Sequence, residues 1–186
     1  MRDWDTLLAD CQNCTACSLC RTRTNVVFGR GDRASKILFI GKAPGEQEDL
    51  SGVPFVGAAG HLLDDLLLSV GLSREKVYIA NILKCRPPNN RDPLPEEQDA
   101  CLPFLREQTA LLQPRIIVCV GRIAATKLID PGFKIMRQHG QWFERRGVLM
   151  TAVLHPSALL RSQSNRPLTY LDFVDIAERA RAEGIL

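Results

Sequence analysis

The sequence predicts an α/β sandwich built on a mostly parallel sheet. Three observations carry this. Short, continuous apolar runs bounded by glycine recur along the chain, as buried parallel strands require. Longer amphipathic segments separate them. The 186 residues, 45% hydrophobic and 24% charged, fit one domain with a core of its own. Residues 1–186 are therefore expected to form a single domain, with a cysteine-rich segment at 11–20.

Each element can be justified in order. A short helix is expected at about Trp4–Asp10, and the cysteine-rich segment after it is too polar and irregular for a core element. Ile37–Ile40 is an apolar run ending at Gly41, and reads as a buried strand. A glycine- and proline-bearing loop, Gly41–Gly60, leads to a helix at about His61–Val70. Val77–Ile82 is a second strand, leaving through the proline-rich loop Arg86–Pro95. Pro95, Glu96 and Glu97 open a long helix to about Leu112, with proline in the first turn and acids at the positive end of the dipole. Ile116–Val120 is a third buried strand, closed by Gly121 and a short helix at about Ile123–Leu128. Trp142–Glu144 and Val148–Leu154 read as two strands joined near Arg146–Gly147, and a last helix runs from about Leu168 to Glu183. In such sheets ligands bind beyond the carboxyl ends of the strands. Gly41, Asn81, Gly121 and His155 fall at or near those ends.

The net charge of +3 permits nucleic-acid binding without arguing for it. Basic pairs such as Arg21 with Arg23, Arg30 with Arg33, and Arg161 with Arg166 are each compatible with an ordinary solvated surface. Residues 1–10 hold three acids and no long apolar run, and no stretch is long enough to span a bilayer, so a secretory signal and a membrane role are not expected. Seven cysteines in such a chain point to metal or cluster binding rather than to disulfides. A cytoplasmic location follows as an expectation.

Cys11, Cys14, Cys17 and Cys20 form a regular C-x2-C-x2-C-x2-C that could hold a local site. Soft thiolates suit zinc and iron–sulfur clusters alike. Cys85 and Cys101 stand at a strand end and on a helix, and Cys119 lies inside a strand as a small hydrophobe. Three loop segments suit a flat polar ligand. In Gly41–Gly45, glycines allow backbone N–H groups close approach. Val53–Gly57 offers Phe55 for stacking, or as a plug under the loop. His155–Ser157 follows a strand, where a histidine can donate to developing negative charge or simply be satisfied within its loop. Asn81, inside an apolar strand, must satisfy its amide if buried. An amide offers a donor and an acceptor, matching the O4 and N3–H edge of uracil.

Taken in order, these segments resemble the family 4 uracil-DNA glycosylases, the iron–sulfur type. The resemblance runs over Cys14–Cys17, Arg23–Val27, Gly41-x-Ala-Pro-Gly45, Pro54–Gly57, Asn81–Pro88, Asn89–Arg91, Pro95–Glu97, Cys101 and His155–Ser157, nearly the whole chain. It implies a three-layer α/β/α sandwich around a central, mostly parallel four-stranded sheet. It implies a monofunctional enzyme that hydrolyses the glycosidic bond of uracil in single- or double-stranded DNA, as a monomer in base-excision repair. It implies a [4Fe–4S] cluster on Cys14, Cys17, Cys85 and Cys101, leaving Cys11 and Cys20 spare. Phe55 would stack on the flipped base, Asn81 would read its edge, and His155 would stabilise charge on O2. The backbone around Lys42, Ala43 and Pro44 would approach the base, and Glu48 would crowd its 5-position. The loop around Lys84, Arg86 and Arg91 would meet phosphates. Leu159, Leu160 or Arg161 would wedge into the duplex, with Leu159 and Leu160 equally readable as core packing.

One departure stands out. Family members commonly have Glu where this chain has Lys42, a reversal that could aid anion stabilisation, contact phosphate or alter substrate range. Position 43 is Ala where the family 1 enzymes carry an aspartate, so leaving-group stabilisation is expected to carry the rate. The histidine-bearing insertion of covalently trapping relatives is not seen between Phe55 and Asn81, which makes a covalent or non-catalytic uracil-DNA binder the alternative.

Overall fold

The computed structural model describes residues 2–186. Helix α1 is Trp4–Gln12, and Asp3 caps it by accepting from the Thr6 backbone N–H at 2.8 Å. The cysteine segment continues into one 3-10 turn at Ser18–Arg21. Then follow β1 (Arg30–Gly31), β2 (Ile37–Gly41), α2 (Glu46–Ser51), α3 (Ala58–Ser69) and β3 (Tyr78–Asn81). The second half comprises α4 (Pro95–Leu112), β4 (Ile116–Val120), α5 (Arg122–Leu128), α6 (Ile135–Gln138), β5 (Phe143–Arg145), β6 (Val148–Val153), α7 (Pro156–Arg161) and α8 (Arg166–Ala182).

The sheet order is β1-β3-β2-β4-β6-β5. The four central strands are parallel, as expected. The sheet has six strands rather than four, because a short antiparallel strand closes each edge. The strand expected at Trp142 begins at Phe143, and β1, only two residues long, has no periodicity from which to read it. The expected loop Gly41–Gly60 also contains α2 and the first turn of α3.

Alternation along β2 sends Ile37 and Phe39 to one face and Leu38 and Ile40 to the other. The first face packs on α3 and α8, where Phe39 stacks on Phe173 with ring centroids 6.0 Å apart. The second packs on α4 and α5. The result is the expected α/β/α sandwich. Leu159 belongs to the first core and is fully buried, which removes it as a duplex wedge, since inserting it would empty its place among apolar neighbours. Leu160 and Arg161 are exposed on α7.

One close approach fixes the entry to α3. A side chain at Gly60 would overlap the Phe55 backbone carbonyl. Phe55 itself has φ +54°, in the left-handed region that a bulky residue adopts only when its surroundings force it. Gly60→Ala is expected to destabilise the protein by about 3 kcal/mol or more. Urea unfolding with an unchanged midpoint would contradict this packing.

Candidate functional site

The carboxyl edge of the parallel sheet gathers the expected recognition residues. Gly41 and Asn81 are register partners at the ends of β2 and β3. A side chain at Gly41 would overlap Asn81 Oδ1 and come within 2.7 Å of the Phe55 ring. The ring of Phe55 stacks near that of His155, with centroids 5.9 Å apart and planes at 29°. Lys42, Ala43, Pro44, Glu48, Phe55, Asn81 and His155 line one cleft.

Asn81 is 2% exposed, and its Oδ1 has no hydrogen-bond partner among the described residues. A buried acceptor left unpaired costs about 1–3 kcal/mol, so it marks a place where a ligand donor belongs.

His155 caps α7. Its Nδ1 accepts the Ser157 backbone N–H at 3.2 Å and lies 2.7 Å from Ser157 Oγ. A nitrogen that accepts carries the lone pair, so the ring proton sits on Nε2. Burial pushes the imidazole down to about 4; the nearby charges of Lys42 and Arg161 push the same way, against Glu48. The ring is neutral at physiological pH and offers one N–H donor.

Glu48 ties the two pocket loops together. Its carboxylate accepts the backbone N–H of Gly45 at 3.1 Å, Val56 at 2.9 Å and Gly57 at 3.0 Å. Arg74, which sequence reasoning missed, donates to the carbonyls of Pro54 and Phe55 and pairs with Asp64. No local pattern announces it, because its partners lie 10 to 20 residues away. Lys42 turns outward: its Nζ donates to Asn90 O at 3.1 Å and pairs with Asp92 at 3.2 Å.

The expected phosphate loop is corrected in two places. Lys84 is buried, its ammonium donating to Asn81 O at 2.9 Å and Gln108 Oε1 at 2.6 Å. Arg91 is held by Glu97 in a bidentate pair at 2.6 and 2.9 Å. Both cations are spent on internal partners that need them. Arg86 keeps Asn90 as partner and lies 4.0 Å from Glu46.

A second, small cavity is lined by Cys11, Cys14, Cys17, Cys20, Cys85 and Cys101. All the cysteines are free, and Cys119 is a buried apolar filler in β4, as expected. No group of three or more His, Cys, Asp or Glu side chains among the described residues is gathered to hold a single metal ion. The thiols instead share the lining of one cavity. Their hydrogen bonds divide them. Ala16 N–H donates to Cys14 Sγ at 3.5 Å, Arg23 to Cys85 Sγ at 3.3 Å, and Lys84 N–H to Cys101 Sγ at 3.2 Å. A backbone N–H at Leu19 favours the Cys17 thiolate, although burial leaves that thiol raised overall. Such donors stabilise thiolate and cluster sulfur. Cys11 receives none and packs against Leu7 and Phe28, where burial pushes its thiol up to about 12. The donor set fits an iron–sulfur cluster on Cys14, Cys17, Cys85 and Cys101.

The buried histidine makes stability pH-dependent. Its folded value of about 4 lies below the ordinary 6.5, so the unfolded chain binds the extra proton between them and stability rises with pH across that window. Lowering the pH from 6.5 to 4 is expected to cost roughly 3 kcal/mol through this residue. His155→Gln should lack that share of the loss, and identical pH profiles for the two proteins would contradict a buried neutral imidazole.

Comparison with known proteins gives the family. Residues 28–178 match the family model described as the uracil DNA glycosylase superfamily. A type-4 uracil-DNA glycosylase of Archaeoglobus fulgidus is 45% identical over 96% of this chain and 94% of its own. One from Thermotoga maritima is 48% identical over 83% of this chain and 81% of its own, and one from Saccharolobus solfataricus is 38% identical over 100% and 90%. The chain belongs to the type-4 family of the uracil-DNA glycosylase superfamily.

Proposed function

We propose that this protein excises uracil from DNA by hydrolysing the bond between uracil N1 and the sugar C1′, leaving an abasic site for base-excision repair. The observation that carries the reading is the unpaired, buried Oδ1 of Asn81, which lines one cleft with Phe55 and His155. That acceptor suits uracil N3–H, and the amide nitrogen suits O4. Cytosine has no proton at N3 and presents an amino group at position 4, so it would leave the acceptor unpaired.

The target base must leave the stack to reach this cleft. Phe55 stacks on it, on a backbone held by Gly60 and Arg74. The backbone from Lys42 through Pro44 borders it, and Glu48, fixed by three amide donors, excludes a 5-methyl group. As the bond breaks, its electron pair passes to uracil N1, and charge spreads to O2 and O4. The neutral His155 donates its Nε2–H to O2. The sugar, left oxocarbenium-like, takes hydroxide from water, and the water's remaining proton goes to solvent. Ala43 offers no carboxylate to position that water, so stabilising the departing anion carries the rate. The Lys42 cation at the rim adds to it. Leu160 and Arg161, exposed beside His155, meet the DNA, with Leu160 entering the gap. No described helix is long and apolar enough to cross a membrane. The chain acts as one domain and as a monomer, since every recognition group stands on one edge of one sheet.

Cys14, Cys17, Cys85 and Cys101 would hold a [4Fe–4S] cluster. When bound, the cluster supplies iron–thiolate bonds that join the N-terminal segment to the β3 exit and to α4, and no step of base excision needs its redox chemistry.

Uracil release from a uracil-containing oligonucleotide, scored as alkali-labile sites, tests the enzyme reading; binding without release would identify a non-catalytic or trapping protein. In single turnover, His155→Ala is expected to lose about 10²–10³ in rate, the usual loss for one such donor. Asn81→Ala should lose a similar factor while its melting temperature stays level or rises, because it removes an unpaired buried group. Near-full cleavage by His155→Ala would overturn the mechanism. Separately, Cys85→Ala should lose iron and the broad absorbance near ~400 nm, and Cys20→Ala should keep both. The reverse result would assign the cluster to the N-terminal quartet.

A further inference from the structure

We propose that Asp49 is a positioning residue through which the cysteine segment holds the base pocket in its working shape, an inference that rests on the glycosylase reading above. Residues 23–25 form a strap between the two sites. At one end, Arg23 donates to Cys14 O at 2.9 Å, Gln12 O at 3.1 Å and Cys85 Sγ at 3.3 Å. It thereby clamps the N-terminal segment to the β3 exit, beside the thiol-lined cavity. At the other end, the Thr24 N–H donates to both carboxylate oxygens of Asp49, at 2.9 and 3.1 Å. The Asn25 amide donates to Asp49 O at 2.8 Å and Leu50 O at 3.0 Å.

Asp49 is 4% exposed and has no cationic partner among the described residues. Its carboxylate accepts instead from the strap's backbone, from the Thr24 N–H and, at 3.4 Å, from the Asn25 N–H. A buried carboxylate deprived of its donors is costly, so the position of α2 depends on the position of residues 24 and 25. The next residue toward the N-terminus is Glu48, which holds the amides of Gly45, Val56 and Gly57 on either side of Phe55. Neither acid touches the base-reading groups Asn81 and His155. Asp49 sets where α2 sits, and α2 sets where Glu48 draws the two pocket loops together.

The chain of contacts can be cut at either end. Backbone hydrogen exchange at Gly45, Val56 and Gly57 would be measured in the purified wild-type protein, Arg23→Met, Asp49→Ala and the double variant. Iron content, absorbance near ~400 nm and uracil excision would be followed alongside. Asp49→Ala is expected to speed exchange at those three amides by about 10- to 100-fold. Amides in β2 and β4 should stay protected, and kcat/KM should fall. Asp49→Asn keeps one acceptor oxygen and should recover most of both. Arg23→Met should speed the same three amides, and the double variant should exchange no faster than Asp49→Ala alone, because both changes break one path.

Wild-type exchange at those amides in Asp49→Ala would overturn the proposal, as would effects of Arg23→Met and Asp49→Ala that simply add. Should Asp49→Ala not fold, Asn25→Ala removes the other half of the contact and is read by the same criteria. Lack of iron or of uracil release in the wild-type protein would count against the cluster or the enzyme reading. Neither alters the exchange comparison, which tests the strap itself.

Discussion

No side chain can stand at position 41. β2 ends there against Asn81 Oδ1 and the Phe55 ring, and a Cβ would overlap the first and crowd the second. This exclusion brings three segments into one small volume: the end of β2, the end of β3 and the loop before α3. The parallel register of Gly41 with Asn81 makes the meeting a property of the sheet rather than of loop flexibility. Phe55 is held against that point with a left-handed backbone by Gly60 behind it and Arg74 on its carbonyl. Strain of this kind persists only where packing over-determines it.

The proposed mechanism asks the same edge to meet a negative charge that arrives late. A cleft lined by a permanent cation at His155 would favour any anion, bound or free. On the proposed mechanism, a neutral imidazole with its proton on Nε2 would make its strongest hydrogen bond only when O2 gains charge during bond cleavage, which is the differential binding that accelerates a reaction. Ser157 sets the tautomer and burial sets the charge state, so neither depends on the substrate. The nearest lysine, Lys42, is anchored to Asp92 and Asn90 outside the base position. It contributes field rather than contact, and the reversal of charge at this position leaves the backbone of the loop free to border the base.

The parallel core was legible because its strands are short apolar runs, three of them closed by glycine or asparagine, and the helix periodicities follow. The residues that face the ligand were legible as strand ends. What was not legible depends on distant pairing. β1 is two residues without a pattern, visible only once β3 lies beside it. Lys84 reads as a surface cation beside other basic residues, yet its ammonium is enclosed by Asn81 O and Gln108 Oε1, a partner on another helix. Leu159 sits one position before an exposed leucine, and only the packing of α7 against α3 decides which of the two faces solvent. Arg74 and Asp49 act through backbone groups, for which no side-chain motif exists.

The cysteines show why regular spacing misleads. A repeat of one cysteine in three suggests a single face, but the backbone between Cys11 and Cys20 is not one element. Cys11 closes α1, Cys14 and Cys17 lie in the irregular link, and Cys20 falls on a separate 3-10 turn. Identical spacing therefore places four sulfurs in four environments. Burial against Leu7 and Phe28 pushes the Cys11 thiol up to about 12, and burial raises Cys17, Cys85 and Cys101 as well, so what sets Cys11 apart is its lack of an N–H donor. N–H donors instead converge on Cys14 and Cys17 from their own loop, on Cys85 from Arg23, and on Cys101 from the backbone beside Cys85. Donors aimed at sulfur are wasted on a thiol that stays neutral and stabilising for one that becomes a thiolate. On the proposed ligand set these donors serve two local and two distant cysteines, and Arg23, which contacts Cys14 O and Cys85 Sγ, is also the start of the strap that reaches the pocket.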